Sequence, residues 1–303
     1  ALTRAQNAIE GGMPRPSADA EGVQDHTAVQ VLALFAQARQ RAISKAYRER
    51  KPWPPEWLAD VHAAYAVLAK HPLGTDANAA DCYDFLRWLG ATPRALAALE
   101  DGLSRFPDSW RLHERLRTKA LFEKGPDGLE ATYTSLLAKP DASDVLSWFA
   151  GYASLVAAEQ QRRAGASAKA VGAYERAIEH YQHDAELHPD HRPSTDHYVA
   201  LALAGRARVE LEREEFEPAT RDILAALERS PAAANALDGL GLTAVETARV
   251  LIAALEKGSE VELAQRVQSA LDALDPRHLE LPAFERGLTR PGADTAPAQP
   301  GGK

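Results

Sequence analysis

The chain has 303 residues, of which 45% are hydrophobic and 26% charged, and its formal net charge is −8. These proportions suit a chain that buries a core over most of its length, and the acidic balance without a Lys/Arg run argues against a nucleic-acid partner, which needs a clustered basic surface. Cys82 is the single cysteine, so an internal disulfide and a multi-cysteine metal site are both excluded, and no apolar stretch approaches the roughly 20 residues of a bilayer span.

In chain order, residues 1–24 carry Gly11-Gly12, Pro14 and Pro16 and read as a tail or irregular arm. A helix is predicted over 25–50, with Val29, Leu32, Phe35, Ala36 and Ile43 on one stripe, and Pro52, Pro54 and Pro55 stop it. The next helix starts near Pro55, where proline is tolerated in a first turn, and carries Trp57, Val61, Tyr65 and Leu68 to Pro72. Hairpins are then predicted at 77–90 with 93–106, 109–123 with 127–138, 143–163 with 167–187, 195–213 with 216–229, and 233–257 with 259–274. Cys82 falls inside one of these patterns as a half-buried small residue with no cation beside it to lower its pKa. Residues 277–288 are expected to cap the last apolar face, and the Pro/Gly/Ala-rich stretch 289–303 reads as a disordered tail. No segment alternates as a strand does, so the expected class is all-α.

The hairpins share a register. A small residue is followed four places later by a usually larger one and twelve places later by proline: Ala95, Leu99 and Pro107; Gly128, Thr132 and Pro140; Ala219, Ile223 and Pro231; and in part Ala264 and Pro276. Recurrence at such a period signals stacked helical hairpins. With Phe216, Ala226 and Leu227 added to the third set, and with Ala170, Tyr174, Ala177 and Ile178 elsewhere, the pattern resembles the tetratricopeptide repeat family. Thr132 and Gln268 depart from it where a large apolar residue belongs, and Asp60 stands where a small one belongs. The resemblance covers about residues 76–276, with 25–72 as a divergent first hairpin. It implies a right-handed α-solenoid of roughly six antiparallel hairpins, in one domain over 25–288.

The resemblance also implies a concave groove lined by the first helix of each hairpin. Transferring the register puts Asp84, Arg87 and Trp88 on that face, then Trp110, His113 and Arg117, then Trp148 and Tyr152, then Arg208. Trp, Tyr and Arg bury large areas and still form hydrogen bonds, and a groove with three arginines favours an acidic peptide or a terminal carboxylate through bidentate pairs. The alternative for each tryptophan is a plain core position, and for each arginine ordinary solvated surface.

Five of the ten histidines fall between His180 and His197. His180 and His183 share a helix face, while His188, Asp190 and His191 follow on a proline-containing loop, a donor set of the kind that suits a divalent transition metal. No recognised ligand spacing accompanies them, so no metal or other cofactor is assigned. No phosphate-cradling glycine loop, nucleophile elbow or Cys/His pairing is present, and no catalytic residue is assigned either. The expected function is a non-catalytic scaffold or adaptor for a protein or peptide. A structural subunit of a larger assembly is the first alternative, and a metal module or enzyme at His180–His197 the second. Ala1 is compatible with several kinds of processing, so no compartment is assigned.

Overall fold

The computed structural model describes residues 18–236 and 240–279, with side chains from residue 26 onward. Residues 1–17 of the expected arm, the cap beyond Leu279 and the tail 289–303 lie outside these residues. Among the described residues there are twelve α-helices and no strand: α1 (Ala18–Arg48), α2 (Glu56–Lys70), α3 (Asp76–Trp88), α4 (Thr92–Arg105), α5 (Trp110–Leu137), α6 (Leu146–Arg163), α7 (Ser167–Leu187), α8 (Arg192–Glu212), α9 (Phe216–Arg229), α10 (Ala244–Lys257), α11 (Val261–Asp272) and α12 (Pro276–Leu279). The chain forms two compact units, residues 1–119 and 120–303.

In the first unit α1 packs on α2 and α3, α2 on α3, and α3 on α4. Leu32, Ile43, Val61, Tyr65, Leu68, Phe85, Ala95, Leu99 and Leu112 form its core. Part-buried polar groups pair across these helices: the Tyr65 hydroxyl donates to Gln40 Oε1 at 2.6 Å and Gln37 Nε2 to Asp81 Oδ2 at 2.8 Å. A capping box starts α3, where the Asn78 amide donates to Thr75 Oγ1 at 3.3 Å and the Thr75 amide donates back to Asn78 Oδ1 at 3.0 Å. Arg105 gathers the carbonyls beyond α2, donating to Ala69 O at 2.8 Å, Pro72 O at 2.9 Å, Gly74 O at 3.1 Å and also His71 O. Its charge sits at a helix C-terminus, the end that attracts cations.

In the second unit α6 packs on α7 and α8, α7 on α8, α8 on α9 and α10, and α9 and α10 on each other and on α11. The shared core runs from Leu155, Tyr174 and Tyr181 through Leu201 and Ile223 to Leu251 and Val267.

Four helix pairs close through the same turn. Three residues separate α3 from α4, α6 from α7, α8 from α9 and α10 from α11. The middle residue is left-handed every time: Gly90 (φ 74°), Gly165 (φ 73°), Glu214 (φ 58°) and Ser259 (φ 64°). Each turn repeats one hydrogen-bond pair, seen as the Gly165 amide to Arg162 O at 2.9 Å with the Ala166 amide to Gln161 O at 2.9 Å, and as the Ser259 amide to Glu256 O at 3.1 Å with the Glu260 amide to Leu255 O at 2.8 Å. Such bonds satisfy the last carbonyls of the first helix. Five residues after each left-handed residue stands a buried alanine, Ala95, Ala170, Ala219 or Ala264. Three second helices also end alike, on a non-helical residue before proline: Phe106, His188 and Ser230. Proline's ring drives the preceding residue out of the helical region.

Glu214 and Ser259 hold the left-handed turn without the freedom of glycine, at about 1 kcal/mol each. Glu214→Gly and Ser259→Gly are each expected to raise the unfolding free energy by about 0.5–1 kcal/mol, read from denaturant melts. A loss of stability in both would contradict the geometry of the turns.

Several predicted boundaries are corrected. Residues 18–24, read as part of an arm, are already helical, because Ala18 opens a run without proline or paired glycine. The helix predicted over 143–163 begins at Leu146, after turns bonded from Ser143 O and Val145 O. The helix predicted over 233–257 begins only at Ala244. Pro231–Ala233 forms a 3-10 turn instead, Gly241 is left-handed (φ 71°), and Thr243 caps α10 by accepting the Glu246 amide at 3.1 Å. Asn235 holds this connection: its Nδ2 donates to Leu279 O at 2.8 Å and its Oδ1 accepts from Thr243 Oγ1 at 3.2 Å. The break predicted between 123 and 127 is present as a kink inside α5, where Gly125, before Pro126, is left-handed (φ 68°).

Candidate partner-binding surface

In the first unit, α3 carries Asp84, Arg87 and Trp88. Asp84 is held by Arg115, whose Nε reaches Oδ1 at 2.9 Å and whose Nη2 reaches Oδ2 at 2.5 Å, a bidentate pair that engages both its oxygens. Arg87 is exposed and donates to Thr92 Oγ1 at 3.4 Å. Trp88 is 41% exposed, stacked on Phe85 and edge-on to Tyr47. At the start of α5, Trp110 is likewise 41% exposed, with the Arg117 guanidinium 4.4 Å from its ring centroid, a cation–π contact. Arg117 itself is buried, as is His113. His113 Nε2–H donates to Pro107 O at 2.9 Å. Burial pushes its pKa down to about 4 despite that bond, so the imidazole is neutral near pH 7.

In the second unit, α6 carries Trp148 and Tyr152 with their rings parallel, 6.2 Å apart. Tyr198 of α8 meets both edge-on at 5.2 and 5.5 Å, and Tyr181 of α7 meets Trp148 edge-on at 6.0 Å. Trp148 is half-buried and donates Nε1–H to Ser194 Oγ at 3.1 Å, while Tyr152 is buried. Arg208 is half-buried and adds positive potential at Glu159. The exposed or half-exposed members of the predicted set are therefore Arg87, Trp88 and Trp110, with Asp84, Trp148 and Arg208 partly covered.

The histidine-rich segment is organised around Asp184, which is fully buried and accepts His191 Nδ1–H at 2.9 Å. The His188 and His191 rings lie 4.8 Å apart, His183 is exposed, and burial lowers the pKa of His180 and of His197. Among the described residues no three His, Cys, Asp or Glu side chains are placed to hold one metal ion. Cys82 is buried and free, and burial with Asp81 nearby pushes its thiol up to about 11, away from reactivity.

Two polar groupings in the second unit escape sequence patterns because each is completed by a residue of the next helix, Tyr174 or Asp222. Glu159 on α6 is buried against Arg162 and Tyr174. Glu210 on α8 is buried near Asp222, which Arg206 holds through Nε at 2.5 Å and Nη2 at 2.9 Å. Burial and then Asp222 push the Glu210 carboxyl up to about 7, against the pull of Arg206 and Arg221. A folded pKa above the unfolded value means that protonation favours the fold. The contribution is full below about pH 4.5 and is lost as pH rises through about 7, a change of up to about 3 kcal/mol. Glu210→Gln is expected to remove this slope and to stabilise the protein at pH 8, as measured by denaturant titration across pH. An unchanged slope would contradict it.

No protein-family model matches the chain, and no match to a curated protein is found. Among the described residues no helix is long and apolar enough to cross a membrane.

Proposed function

We propose that the chain is a non-catalytic helical-repeat scaffold of the tetratricopeptide type, a right-handed stack of roughly six hairpins that holds a protein or peptide against its first helices. The observation that carries this reading is the recurring turn. Four hairpins close through the same left-handed residue, and each is followed five residues later by the buried alanine that lets neighbouring helices approach. A unit that repeats backbone geometry as well as side-chain size builds an extended surface rather than one enclosed pocket. Arg87, Trp88 and Trp110 in the first unit, and Trp148 and Arg208 in the second, supply the residue types that dominate protein interfaces, and the arginines favour an acidic segment or chain terminus.

Affinity capture from lysate of the source cell tests this, with wild type beside a Trp110→Ala, Trp148→Leu variant shown by circular dichroism to be folded. A partner held by wild type and lost by the variant is expected. Equal retention would remove recognition from the first helices. A second reading, a structural subunit of a larger assembly, is favoured by the exposure of Phe122 (85%) and Leu34 (64%). Sedimentation equilibrium separates the two: an adaptor is a defined monomer or dimer alone, whereas an obligate subunit self-associates without limit.

A further inference from the structure

The first unit carries an aromatic and basic patch of which the transferred register accounts only for Arg87 and Trp88. Tyr47, in the last turn of α1, is 59% exposed and lies edge-on to two other rings, Trp88 at 5.6 Å and Trp53 at 6.2 Å. Leu89, beside Trp88, is 40% exposed. Exposed rings in contact with one another form an apolar platform, and platforms rimmed by charge mark interaction sites. The rim here is cationic. Residues 45–51 contain four Lys/Arg residues against one acid, Glu49, although the chain as a whole is acidic; Arg39, further back on α1, is already paired with Asp60 at 3.8 Å. Lys51 approaches Glu49 at 2.8 Å and Lys45 at 3.9 Å, so the one local carboxylate is already shared. Arg48 donates only to Ser44 O at 3.4 Å and Arg87 to Thr92 Oγ1 at 3.4 Å. Among the described residues Arg48, Arg50 and Arg87 have no carboxylate within 4.0 Å.

Charge is also partitioned along the sequence. Residues 1–119 hold sixteen basic and fourteen acidic residues, whereas 120–303 hold nineteen and twenty-nine. The free cations gather at one helix end instead of tracking the long path that a continuous phosphate backbone needs. A short segment with carboxylates spaced around one or two large apolar side chains fits better. Its acids would pair with the arginines that have no carboxylate partner, and its apolar groups would cover the exposed rings.

We propose that Tyr47, Trp53 and Trp88, with Arg48, Arg50 and Arg87, form a docking site for an acidic protein segment bearing aromatic or aliphatic anchors. This rests on the reading of the chain as a protein-binding scaffold and specifies the chemistry of one partner element.

The test is fluorescence anisotropy with a labelled peptide of about eight residues, acids placed around one Trp and one Leu. Saturable binding is expected, weakened at least about tenfold by Arg48→Glu, Arg50→Glu and Arg87→Glu together, and about tenfold by Trp88→Ser. Binding should fall as salt rises, and a peptide with lysines in place of its acids should not bind. These substitutions fall at exposed positions, and circular dichroism verifies the fold of each variant. Absence of saturable binding, or equal binding by the charge-reversed variant, overturns the proposal. Tighter binding of an oligouridylate or of phosphatidylserine vesicles than of the peptide also overturns it. If the peptide fails while lysate partners still depend on Trp110 and Trp148, this inference alone falls and the scaffold reading stands.

Discussion

Gly205→Ala is expected to lower the unfolding free energy by about 3 kcal/mol, although alanine is the better helix former by about 1 kcal/mol. The two effects have opposite signs, so the direction of the change decides between them. A Cβ at Gly205 on α8 would stand 2.3 Å from Tyr174 Cε1, 2.5 Å from its Cζ and 2.7 Å from its hydroxyl. The ring has nowhere to go, because Tyr174 is fully buried in α7 and its hydroxyl is bonded to Glu159 Oε1. Packed interiors absorb an added methyl only by moving side chains off their preferred rotamers or by shifting backbone. Denaturant melts measure the loss. Combining Gly205→Ala with Tyr174→Leu should cost less than the sum of the two changes, since the smaller side chain vacates the space that the new methyl needs. Stabilisation by Gly205→Ala would mean that α7 and α8 stand further apart than the structure places them.

Glu159→Ala is expected to cost about 3–5 kcal/mol, the usual penalty for stripping one partner from a buried ion pair. Glu159 is 1% exposed, accepts Arg162 Nη2–H at 3.2 Å and the Tyr174 hydroxyl, and lies 3.5 Å from Arg163 Nε. Without it Arg162, whose side chain is only 10% exposed, keeps, among the described residues, Glu212 at 2.6 Å as its remaining carboxylate. Burial opposes ionisation of Glu159, but hydrogen bonds from Arg162 and Tyr174 outweigh it and hold the carboxyl below the usual range. A depressed carboxyl stabilises the fold above its unfolded pKa, and that stability is lost as pH falls through the folded value. Wild type should therefore lose stability below about pH 4.5, and Glu159→Gln should flatten that limb. Glu210 acts with the opposite sign at higher pH, so these two groups together stabilise the fold most between the two limbs. A flat acid limb in wild type would contradict the role of Glu159.

Helix identity and much of the punctuation are legible in the sequence. Proline before or inside a first turn and glycine between periodic segments place α7 at Ser167–Leu187 and α9 at Phe216–Arg229, in agreement with the predicted bounds. The turns at Gly90 and Gly165 are legible for the same reason. The turn at Gly258-Ser259 is marked by its glycine, but the left-handed residue is Ser259, and that at Glu214 carries no local mark, because a left-handed residue with a side chain is fixed by the hydrogen bonds around it. The late start of α10 escapes periodicity because Ala232, Ala233 and Ala234 read as helix, while Asn235 bonds to Thr243 and Leu279, contacts at long sequence separation.

The candidate surface is only partly legible. Helical spacing places Trp110, His113 and Arg117 on one face, but spacing does not set exposure, and only Trp110 of the three is open to solvent. Tyr47 continues the stripe of Val29, Leu32, Ala36 and Ile43 by one more turn, which hides it among core positions although it is exposed. The Glu159 network is invisible for a similar reason: an acid among apolar residues of a helix declares itself only when Tyr174, fifteen residues on, is seen to reach it.

The most direct test of the scaffold reading is hydroxyl-radical footprinting of the chain with and without a captured partner. If the first helices hold the partner, oxidation of Trp88, Trp110 and Trp148 falls on binding while that of Phe122, on another side of α5, stays unchanged. Unaltered oxidation of all three tryptophans, with protection at Phe122, Val250 or Val261 instead, would contradict it.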